Sequence, residues 1–569
     1  MFQVLLTLAL AVALAWPLGL YMAKALGDSP TRIDRYFAPI ERLLYVLTGV
    51  DAARGMSWRG YAKAFVFCTA VLAVIVQLML MFQHLLPLNP DGISGMSWDL
   101  ALHTMVSFLT NTNQQHYSGQ AQLSYFSQLA AIVTLQVVTP AMGLAIALAV
   151  LRGMFGGRNQ SQPDGQARDL GNFYVDTTRA TVRVLLPLML IWSLLLTWQG
   201  VPSTFHGAAT ITPVDASADM REQVIPLGPV APMVAIKQLG TNGGGWYGPN
   251  SAVPLENPTP LSNLLQVIGI LLVPMAIVFM VGRFTRRPKF AAMIFGVMSA
   301  FSLAFVAVAV WSESHPNAAV GELAASGPNM EGKEQRFGPD ASALWSTLTT
   351  QTSNGSVNAM HDSLNPTAGL VAISGMLVNT VWGGVGCGLV GFIVYLWVAV
   401  FLSGLMIGRT PEIYGRKLEV PEIRLLSVLV LLQPVLLLIA TAAALSLPQF
   451  TGNSNPGFHG VSQVFYEYAS AYANNGSGFE GLGDATPWWN LTCVILLLVG
   501  RYACLIIPLA VVGRLAAKRV APVAAGTLSI ETPTFALTLI AVIVLLTLLC
   551  FLPVLALGPI AEALSLAAH

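Results

Sequence analysis

The sequence predicts an all-α polytopic membrane protein, with about ten transmembrane helices and four pseudo-repeated pore units around a central pore. Three observations support this fold class. Apolar residues make up 55% of the 569 positions and charged residues only 10%, with a mean hydropathy of +0.66. A soluble domain has roughly a quarter of its residues charged. Most basic residues lie in alternate connections, and four of the remaining connections carry clusters rich in Asn, Gly, Thr and Ser.

Apolar runs of about twenty residues are long enough to cross the hydrocarbon core as helices. Nine such runs lie near 2–23, 63–86, 127–151, 177–198, 262–282, 290–311, 422–447, 488–512 and 534–557. The stretch 366–405 is too long for one ordinary span and contains the glycine-rich segment 383–388. We interpret it as one long, broken helix. The first run is too long for a signal peptide, and its basic residues follow it, so it is interpreted as a retained span.

The distribution of Lys and Arg predicts the orientation of these spans. The connections 24–63, 152–183, 283–289, 409–424 and 514–519 hold 23 of the 28 basic residues. Cytoplasmic connections carry an excess of basic residues. Both termini are therefore expected outside the cell. The five cysteines lie in apolar runs, which argues against a disulfide framework and favours a packing role.

Four connections on the predicted outer side share one organisation. Each has a short helical segment followed by a polar cluster, and the segments are 99–109, 230–239, 340–350 and 461–473. Such spacing is typical of internally repeated membrane folds. The predicted pore units are 63–151, 177–282, 290–408 with the broken helix, and 422–512. Residues 1–62 are predicted to form the first span and a cytoplasmic connection, and residues 534–569 the last span.

The chemistry of the four clusters is that of a cation selectivity filter. An ion that enters the membrane exchanges its hydration shell for protein oxygens, and rings of backbone carbonyls supply them. Glycine allows the dihedrals that turn carbonyls inward. Gly243, Gly355 and Gly476 are placed for this role, whereas the first loop has Thr112 or Asn113 there. The predicted filter residues are Asn111, Thr112, Asn113, Thr241, Asn242, Gly243, Ser353, Asn354, Gly355, Asn474, Asn475 and Gly476. Ordinary exposed turns are the alternative for any single cluster.

Several motifs in these segments resemble the KdpA family, the potassium-binding subunits of bacterial Kdp K+-transporting ATPases. The motifs are TNTN at 110–113, GTNGGGW at 240–246, NSA at 250–252, ENPTP at 256–260, NAMHDS at 358–363, TPEIYG at 410–415 and NNGS at 474–477. The resemblance implies a Trk/Ktr-like fold and K+ as the only bound metal and transported ion. It also implies a bacterial inner-membrane location and the partners KdpB (a P-type ATPase), KdpC and the peptide KdpF. Membrane lipid is an expected partner and nucleic acid is not.

Other residues are predicted to act around the filter. Arg501 lies near the middle of a span, where basic residues are usually functional. We expect it to face the pore below the filter, as the resemblance implies, and to oppose straight-through leakage. The alternative is that it binds backbone carbonyls as a structural link. Gly383, Gly384 and Gly386 are candidates for a gate or tunnel, with close helix packing as the alternative. Gln115 is expected to support the filter, although the aromatic residue common in the family is replaced by Gln114.

The sequence excludes two function classes and leaves one open. It has no GxxxxGK[ST] loop and no aspartyl-phosphorylation motif, so ATP hydrolysis is expected in a partner subunit. Its spans carry no carboxylate pair or nucleophile and base for intramembrane hydrolysis. A K+ channel or ion-coupled symporter of the Trk/Ktr type remains the alternative, because pore architecture alone does not separate it from an ATPase subunit.

Overall fold

The computed structural model describes residues 2–27, 29–155, 169–215, 220–320, 326–521 and 528–567. In chain order the helices are α1 Phe2–Ala25, α2 Asp34–Thr48, α3 Trp58–Met81, α4 Trp98–Leu109, α5 Gly119–Gln122, α6 Thr134–Phe155, α7 Phe173–Arg179, α8 Leu186–Trp198, α9 Val230–Leu239, α10 Pro260–Phe284, α11 Pro288–Glu313, α12 Gly338–Gln351, α13 Pro366–Val378, α14 Cys387–Met406, α15 Val420–Ser446, α16 Pro448–Thr451, α17 Gly457–Tyr472, α18 Pro487–Ala516, α19 Pro533–Leu555 and α20 Ala561–Ala567. The short strands are β1 Ala209–Ile211, β2 Gln223–Ile225, β3 Glu412–Ile413 and β4 Arg416–Lys417.

Ten helical segments of the described chain are long and apolar enough to cross a membrane, which confirms the predicted number. Turns of π-helix join α7 to α8 and extend α6 and α19, so these spans are longer than the single helices. The most enclosed spans are Ser127–Phe155 and Pro260–Phe284, which are 78% and 83% buried. Both belong to predicted pore units and are largely enclosed by the rest of the described chain. Residues 156–168, which are part of the predicted connection 152–183, and positions 568–569 lie outside the described residues.

Four short helices precede the polar clusters, as predicted. They are α4, α9, α12 and α17, and their bounds agree with the predicted segments to within a few residues. Most of their side chains are buried, including those near their carboxyl ends. A helix carries partial negative charge at its carboxyl end, so each of the four directs such an end toward the adjoining loop.

The predicted broken helix consists of two helices, α13 and α14, which are joined by residues 379–386. The break begins at Asn379, ahead of the glycine run. Asn379 and Trp382 take left-handed conformations, with φ of 48° and 62°, and Gly383 and Gly386 have φ of 61° and 79°. Four positive φ angles within eight residues end one helix and redirect the chain before the next begins.

Two small antiparallel hairpins, β1–β2 and β3–β4, were not predicted and lie outside the spans. The β3–β4 turn has positive φ at both central residues, Tyr414 and Gly415, as in a type I′ turn. Arg287 lies over the Tyr414 ring at 4.3 Å, and Arg416 donates to the carbonyl of Gly153 at 2.8 Å. The TPEIYG motif therefore forms a hairpin that joins α10–α11, α6 and α14 at the end opposite the polar loops.

Candidate selectivity filter

The four polar loops share one backbone pattern. In each, two residues with left-handed φ flank a single residue in between. The pairs, with their φ angles, are Asn111 (64°) and Asn113 (57°), Thr241 (50°) and Gly243 (84°), Ser353 (51°) and Gly355 (85°), and Asn474 (53°) and Gly476 (108°). Left-handed conformations are uncommon outside glycine and Asn. Eight of them at matching positions establish a fourfold structural repeat that is weak in the sequence.

The glycines pack against the neighbouring loop in cyclic order. A Cβ atom on Gly243 would overlap the carbonyl of Asn354, one on Gly355 would overlap that of Asn475, and one on Gly476 would overlap that of Thr112. Loop two thus contacts loop three, loop three contacts loop four, and loop four contacts loop one. The four loops therefore form a ring in which backbone carbonyls approach closely, as in a carbonyl-lined filter.

In the first loop, Asn113 takes the position that glycine has in the other three. The sequence left Thr112 or Asn113 open, and the left-handed φ of Asn113 decides between them. Asn tolerates this conformation better than most residues. Its side-chain oxygen accepts a hydrogen bond from Nε2 of Gln136 at 2.8 Å, and the same nitrogen donates to the carbonyl of Gly244 at 2.9 Å. Gln136 was missed in the sequence, although a buried polar residue on an apolar span was the available signal.

The Asn side chains of the loops bind neighbouring backbone. Nδ2 of Asn354 donates to the carbonyl of Lys237 at 3.0 Å, and Nδ2 of Asn475 donates to that of Thr349 at 2.8 Å. Each bond joins one loop to the pore helix of the preceding unit. Asn111 similarly donates to the carbonyl of Thr241 at 2.9 Å. The side chains thus hold the loops together and leave backbone carbonyls as the candidate ion ligands.

Gln115, which was predicted to support the filter, makes two hydrogen bonds to the second loop. Its Nε2 donates to the carbonyl of Gly245 at 3.0 Å, and its Oε1 accepts from the backbone nitrogen of Gly245 at 2.8 Å. The neighbouring Gln114 also makes a hydrogen bond, in which its Nε2 donates to the carboxylate of Glu467. At the position where the resemblance implies an aromatic residue, this chain therefore has an amide bonded to the fourth unit.

A cavity of about 660 Å³ opens over the ring. Its lining includes the second left-handed residue of every loop and the carboxylates of Glu467, Glu480 and Asp484. Burial raises the pKa of Glu480 to about 8 and that of Asp484 to about 6. Nε2 of His116 donates to the carboxylate of Glu467 at 3.2 Å, and the His116 ring stacks on that of His103 with 3.6 Å between centroids. These histidines are hydrogen-bonding residues of the loop and the pore helix, since His103 also contacts Gln114.

On the other face of the ring, the break between α13 and α14 contacts three loops. Oγ of Ser353 donates to Asn379 at 2.6 Å, and Nδ2 of Asn379 donates to the carbonyl of Ala473 at 3.2 Å. The backbone nitrogen of Val385 donates to Oγ1 of Thr241 at 3.0 Å. A Cβ atom on Gly386 would overlap the backbone of Gly143. The segment 379–386 therefore lies against the filter, and its glycines permit close approach.

Arg501 is buried, with 2% of its surface exposed, and lies beside this segment. Its Nη2 donates to the carbonyl of Thr139 at 3.0 Å. Among the described residues, no carboxylate lies within ion-pair distance of its guanidinium. Arg501 also lines a cavity of about 110 Å³ together with Asn379 and Asn474. The two interpretations of Arg501 in the sequence, a carbonyl-binding link and a charge below the filter, are thus both compatible with its position.

Comparison with known proteins assigns the family. A model described as "KdpA: Potassium-transporting ATPase A subunit" matches residues 5–564. The chain belongs to the KdpA family. It is 48% identical over 569 residues to the potassium-transporting ATPase potassium-binding subunit of Gloeobacter violaceus, covering 98% of this chain and 97% of that protein. The protein of the same description from Pseudomonas aeruginosa is 45% identical over 570 residues, covering 99% of each.

One solved structure supports the KdpA-family fold independently of sequence. The potassium transporter TrkH from Vibrio parahaemolyticus matches with a TM-score of 0.51 and 14% sequence identity, covering 89% of this chain and 97% of that one. At this identity the likeness concerns the fold alone. It agrees with the four pore helices and four loops described above.

Proposed function

We propose that this chain binds K+ in the ring of four loops and delivers it to a partner P-type ATPase subunit for ATP-driven, high-affinity uptake. The observation that carries the proposal is the fourfold backbone pattern, because it brings carbonyls of all four loops together at one axis. We assign K+ as the bound ion because relatives that match nearly the whole chain are named potassium-binding subunits. The chain acts as a transport subunit, with K+ as cargo and no other cofactor.

The proposed ligands are backbone carbonyls of the predicted filter residues, 111–113, 241–243, 353–355 and 474–476. The repeated units that hold them are 63–151, 177–282, 290–408 and 422–512, flanked by the first and last spans. Pore helices α4, α9, α12 and α17 stabilise a cation with their carboxyl ends. Hydrogen bonds from Asn354 and Asn475 to neighbouring pore helices hold the spacing of the carbonyls that replace the hydration shell of K+.

Below the filter, K+ leaves the pore axis and moves laterally within the membrane. The segment 379–386, with Gly383, Gly384 and Gly386, forms the gate, and the charge of Arg501 opposes passage along the axis. The cavity beside Arg501 is the first part of a lateral route, because its lining continues from Asn474 at the filter to Gln433 on α15 and Thr547 on α19. The same lining includes the guanidinium of Arg501, whose charge repels a cation from its end of the cavity.

The partners proposed are KdpB, KdpC and the small peptide KdpF, in the bacterial inner membrane. The names of the relatives, as subunits of a potassium-transporting ATPase, support an ATPase partner. Both termini face outward in this arrangement, since basic residues concentrate at the end of the spans opposite the filter loops.

A channel or ion-coupled symporter that needs no ATPase is the second candidate, because the pore architecture alone is common to both. Reconstitution separates the two. The chain is placed in liposomes alone or with the ATPase partner, and K+ flux is measured with and without ATP. We expect flux only in the complex with ATP. Rapid ATP-independent flux through the chain alone would favour the channel.

Replacing Gln115 with alanine is expected to lower the apparent K+ affinity of the complex by roughly tenfold, because two hydrogen bonds to Gly245 are lost. K+-stimulated ATP hydrolysis measured across K+ concentrations checks this. A Gln120→Ala variant is the control, since among the described residues Gln120 makes no bond to the filter loops and accepts one from the backbone nitrogen of Gly248 at 2.9 Å. Equal K+ affinities in the two variants would contradict the role of Gln115.

External pH is expected to change K+ affinity. The raised pKa values of Glu480 and Asp484, about 8 and about 6, mean that both carboxyls are ionised above pH 8 and neutral below pH 6. Their negative charge at the mouth concentrates K+, so affinity is expected to fall by about tenfold as external pH decreases from 8.5 to 5.5 at low ionic strength. The Glu480→Gln/Asp484→Asn double variant should show a much flatter profile, and an unchanged profile would refute this explanation.

A further inference from the structure

The four pore helices place one residue at equivalent positions beneath the loops. Ser107, Lys237, Thr349 and Ser470 each offer a backbone carbonyl that accepts from the amide five residues further on, at 2.9–3.0 Å. The carbonyls of Ser107 and Lys237 also accept from the next amide in their loops, at 3.1 and 3.0 Å. Three of these residues carry a hydroxyl, whereas the second unit carries lysine. The fourfold repeat is therefore broken at one side chain.

The three hydroxyls bind their own loops. Oγ of Ser107 donates to the carbonyl of Gln114 at 2.8 Å, and Oγ of Ser470 accepts from the backbone nitrogen of Gly476 at 2.9 Å. Oγ1 of Thr349 donates to Oδ1 of Asn354 at 3.3 Å. A short hydroxyl at this position thus holds the loop directly. The longer lysine side chain of the second unit extends past its loop.

The Lys237 ammonium is buried with no exposed side-chain surface, and it makes three contacts. Its Nζ donates to Oδ1 of Asn250 at 2.6 Å, to Oγ of Ser251 at 2.7 Å and to the carboxylate of Glu256, which is also fully buried. A buried charge with one partner removed is strongly destabilising. The ion pair therefore fixes the segment 250–256 on the pore helix.

This fixed segment holds the second loop at two places. Nδ2 of Asn250 donates to the carbonyl of Gly243 at 2.7 Å. The second oxygen of Glu256 accepts from the backbone nitrogens of Trp246 and Tyr247 at 2.7 and 2.9 Å. The NSA and ENPTP motifs of the sequence thus have a shared role, because both of them bind Lys237 and loop 243–247.

We propose that Lys237 and Glu256 act as positioning residues that set cation selectivity. Lys237 fixes the Gly243 carbonyl through Asn250, and Glu256 fixes residues 246–247, where the chain leaves the loop. The proposal rests on the proposed function, since it assumes that the ring binds K+. In this account the ion pair replaces the direct hydroxyl contact of the other units. Its loss leaves the second loop free to shift, which changes the spacing of the carbonyls and admits smaller ions.

The test uses the complete transporter complex and compares its apparent affinities for K+ and Na+ in cation-stimulated ATP hydrolysis. The variants are Lys237→Met and Asn250→Asp. The second keeps an oxygen that accepts from Lys237, replaces the amide that donates to Gly243 and adds a carboxylate beside the Lys237 ammonium. Both variants are expected to lower the ratio of K+ to Na+ affinity by roughly tenfold, with the maximal rate within about twofold of the unmodified complex. Lys237→Arg, which keeps the charge, should retain most of the selectivity.

A matched control is available in the chain. Lys333 and Glu313 form a second fully buried pair at 2.8 Å, with Glu313 accepting from the backbone of Asn365 and from Asn329. Neither residue has a described bond to a filter loop, so Glu313→Gln should leave selectivity unchanged even if thermal stability decreases. Unchanged selectivity in Asn250→Asp would overturn the proposal. If the Lys237→Met complex does not assemble, the selectivity of Asn250→Asp alone tests the proposal. An unmodified complex without K+-stimulated hydrolysis would instead contradict the proposed function.

Discussion

A Gly355→Ala variant is expected to lose K+ uptake by at least about a hundredfold. Gly355 has φ of 85°, a conformation that alanine adopts only with strain, and its Cβ atom would overlap the carbonyl of Asn475 in the next loop. Strain of this kind costs about 3 kcal/mol, which corresponds to roughly a hundredfold in an equilibrium constant. The carbonyl of Asn475, which the new Cβ atom would displace, is one of the proposed ion ligands. The strain energy therefore lowers the affinity for K+.

Uptake of 86Rb+ by cells that depend on the complex measures this effect, with the amount of assembled complex determined in the same cells. Gly296→Ala is the matched control, because Gly296 lies on α11 and a Cβ atom there meets no atom within 4 Å. We expect the control to transport normally. Normal uptake by assembled Gly355→Ala complex would show that the ring of loops does not bind the ion.

The second large effect is expected at Arg501, where replacement with glutamine should produce an ATP-independent K+ leak at least about tenfold above that of the unmodified complex. Glutamine carries no charge, and its shorter side chain also loses the bond that Arg501 makes to the carbonyl of Thr139 at 3.0 Å. Comparison with Arg501→Lys, which keeps the charge, therefore separates the electrostatic role from the structural one. A buried positive charge beside the pore raises the energy of a cation passing it.

Leak is measured as 42K+ or 86Rb+ efflux from proteoliposomes without ATP, and coupled uptake with ATP. Arg514→Gln serves as the control on the same helix, since Arg514 is partly exposed and pairs with Glu422 at 3.0 Å. The Arg501→Lys complex should show no increase in ATP-independent K+ leak, because lysine keeps the positive charge. Unchanged leak together with unchanged coupled uptake in Arg501→Gln would leave only the structural role.

Much of the fold could be predicted because its signals are local. The spans are apolar runs of sufficient length, and each polar cluster follows a short helical segment, so composition and spacing were enough. The break in the third unit was also visible as glycines at 383–388. The start of the break at Asn379 was not, because a left-handed Asn at a helix end depends on its contacts with Ser353 and Ala473.

The parts that were missed depend on contacts between distant segments. Nothing in the first loop alone distinguishes Thr112 from Asn113, and the choice depends on Gln136. From the sequence, Lys237 is only one of the few basic residues outside the five basic connections, because its partner Glu256 lies 19 positions away across a loop. The β3–β4 hairpin has strands of two residues, too short for any periodic pattern.

The central claim is that K+ occupies the ring of loops and leaves sideways beneath it. Anomalous scattering from Tl+, which replaces K+ in such sites, tests it most directly in crystals of the complete complex. The account predicts Tl+ on the axis between residues 111–113, 241–243, 353–355 and 474–476, and none along the axis beyond Arg501. Absence of Tl+ from the ring, or a row of Tl+ continuing past Arg501 to the end that carries the β3–β4 hairpin, would contradict it.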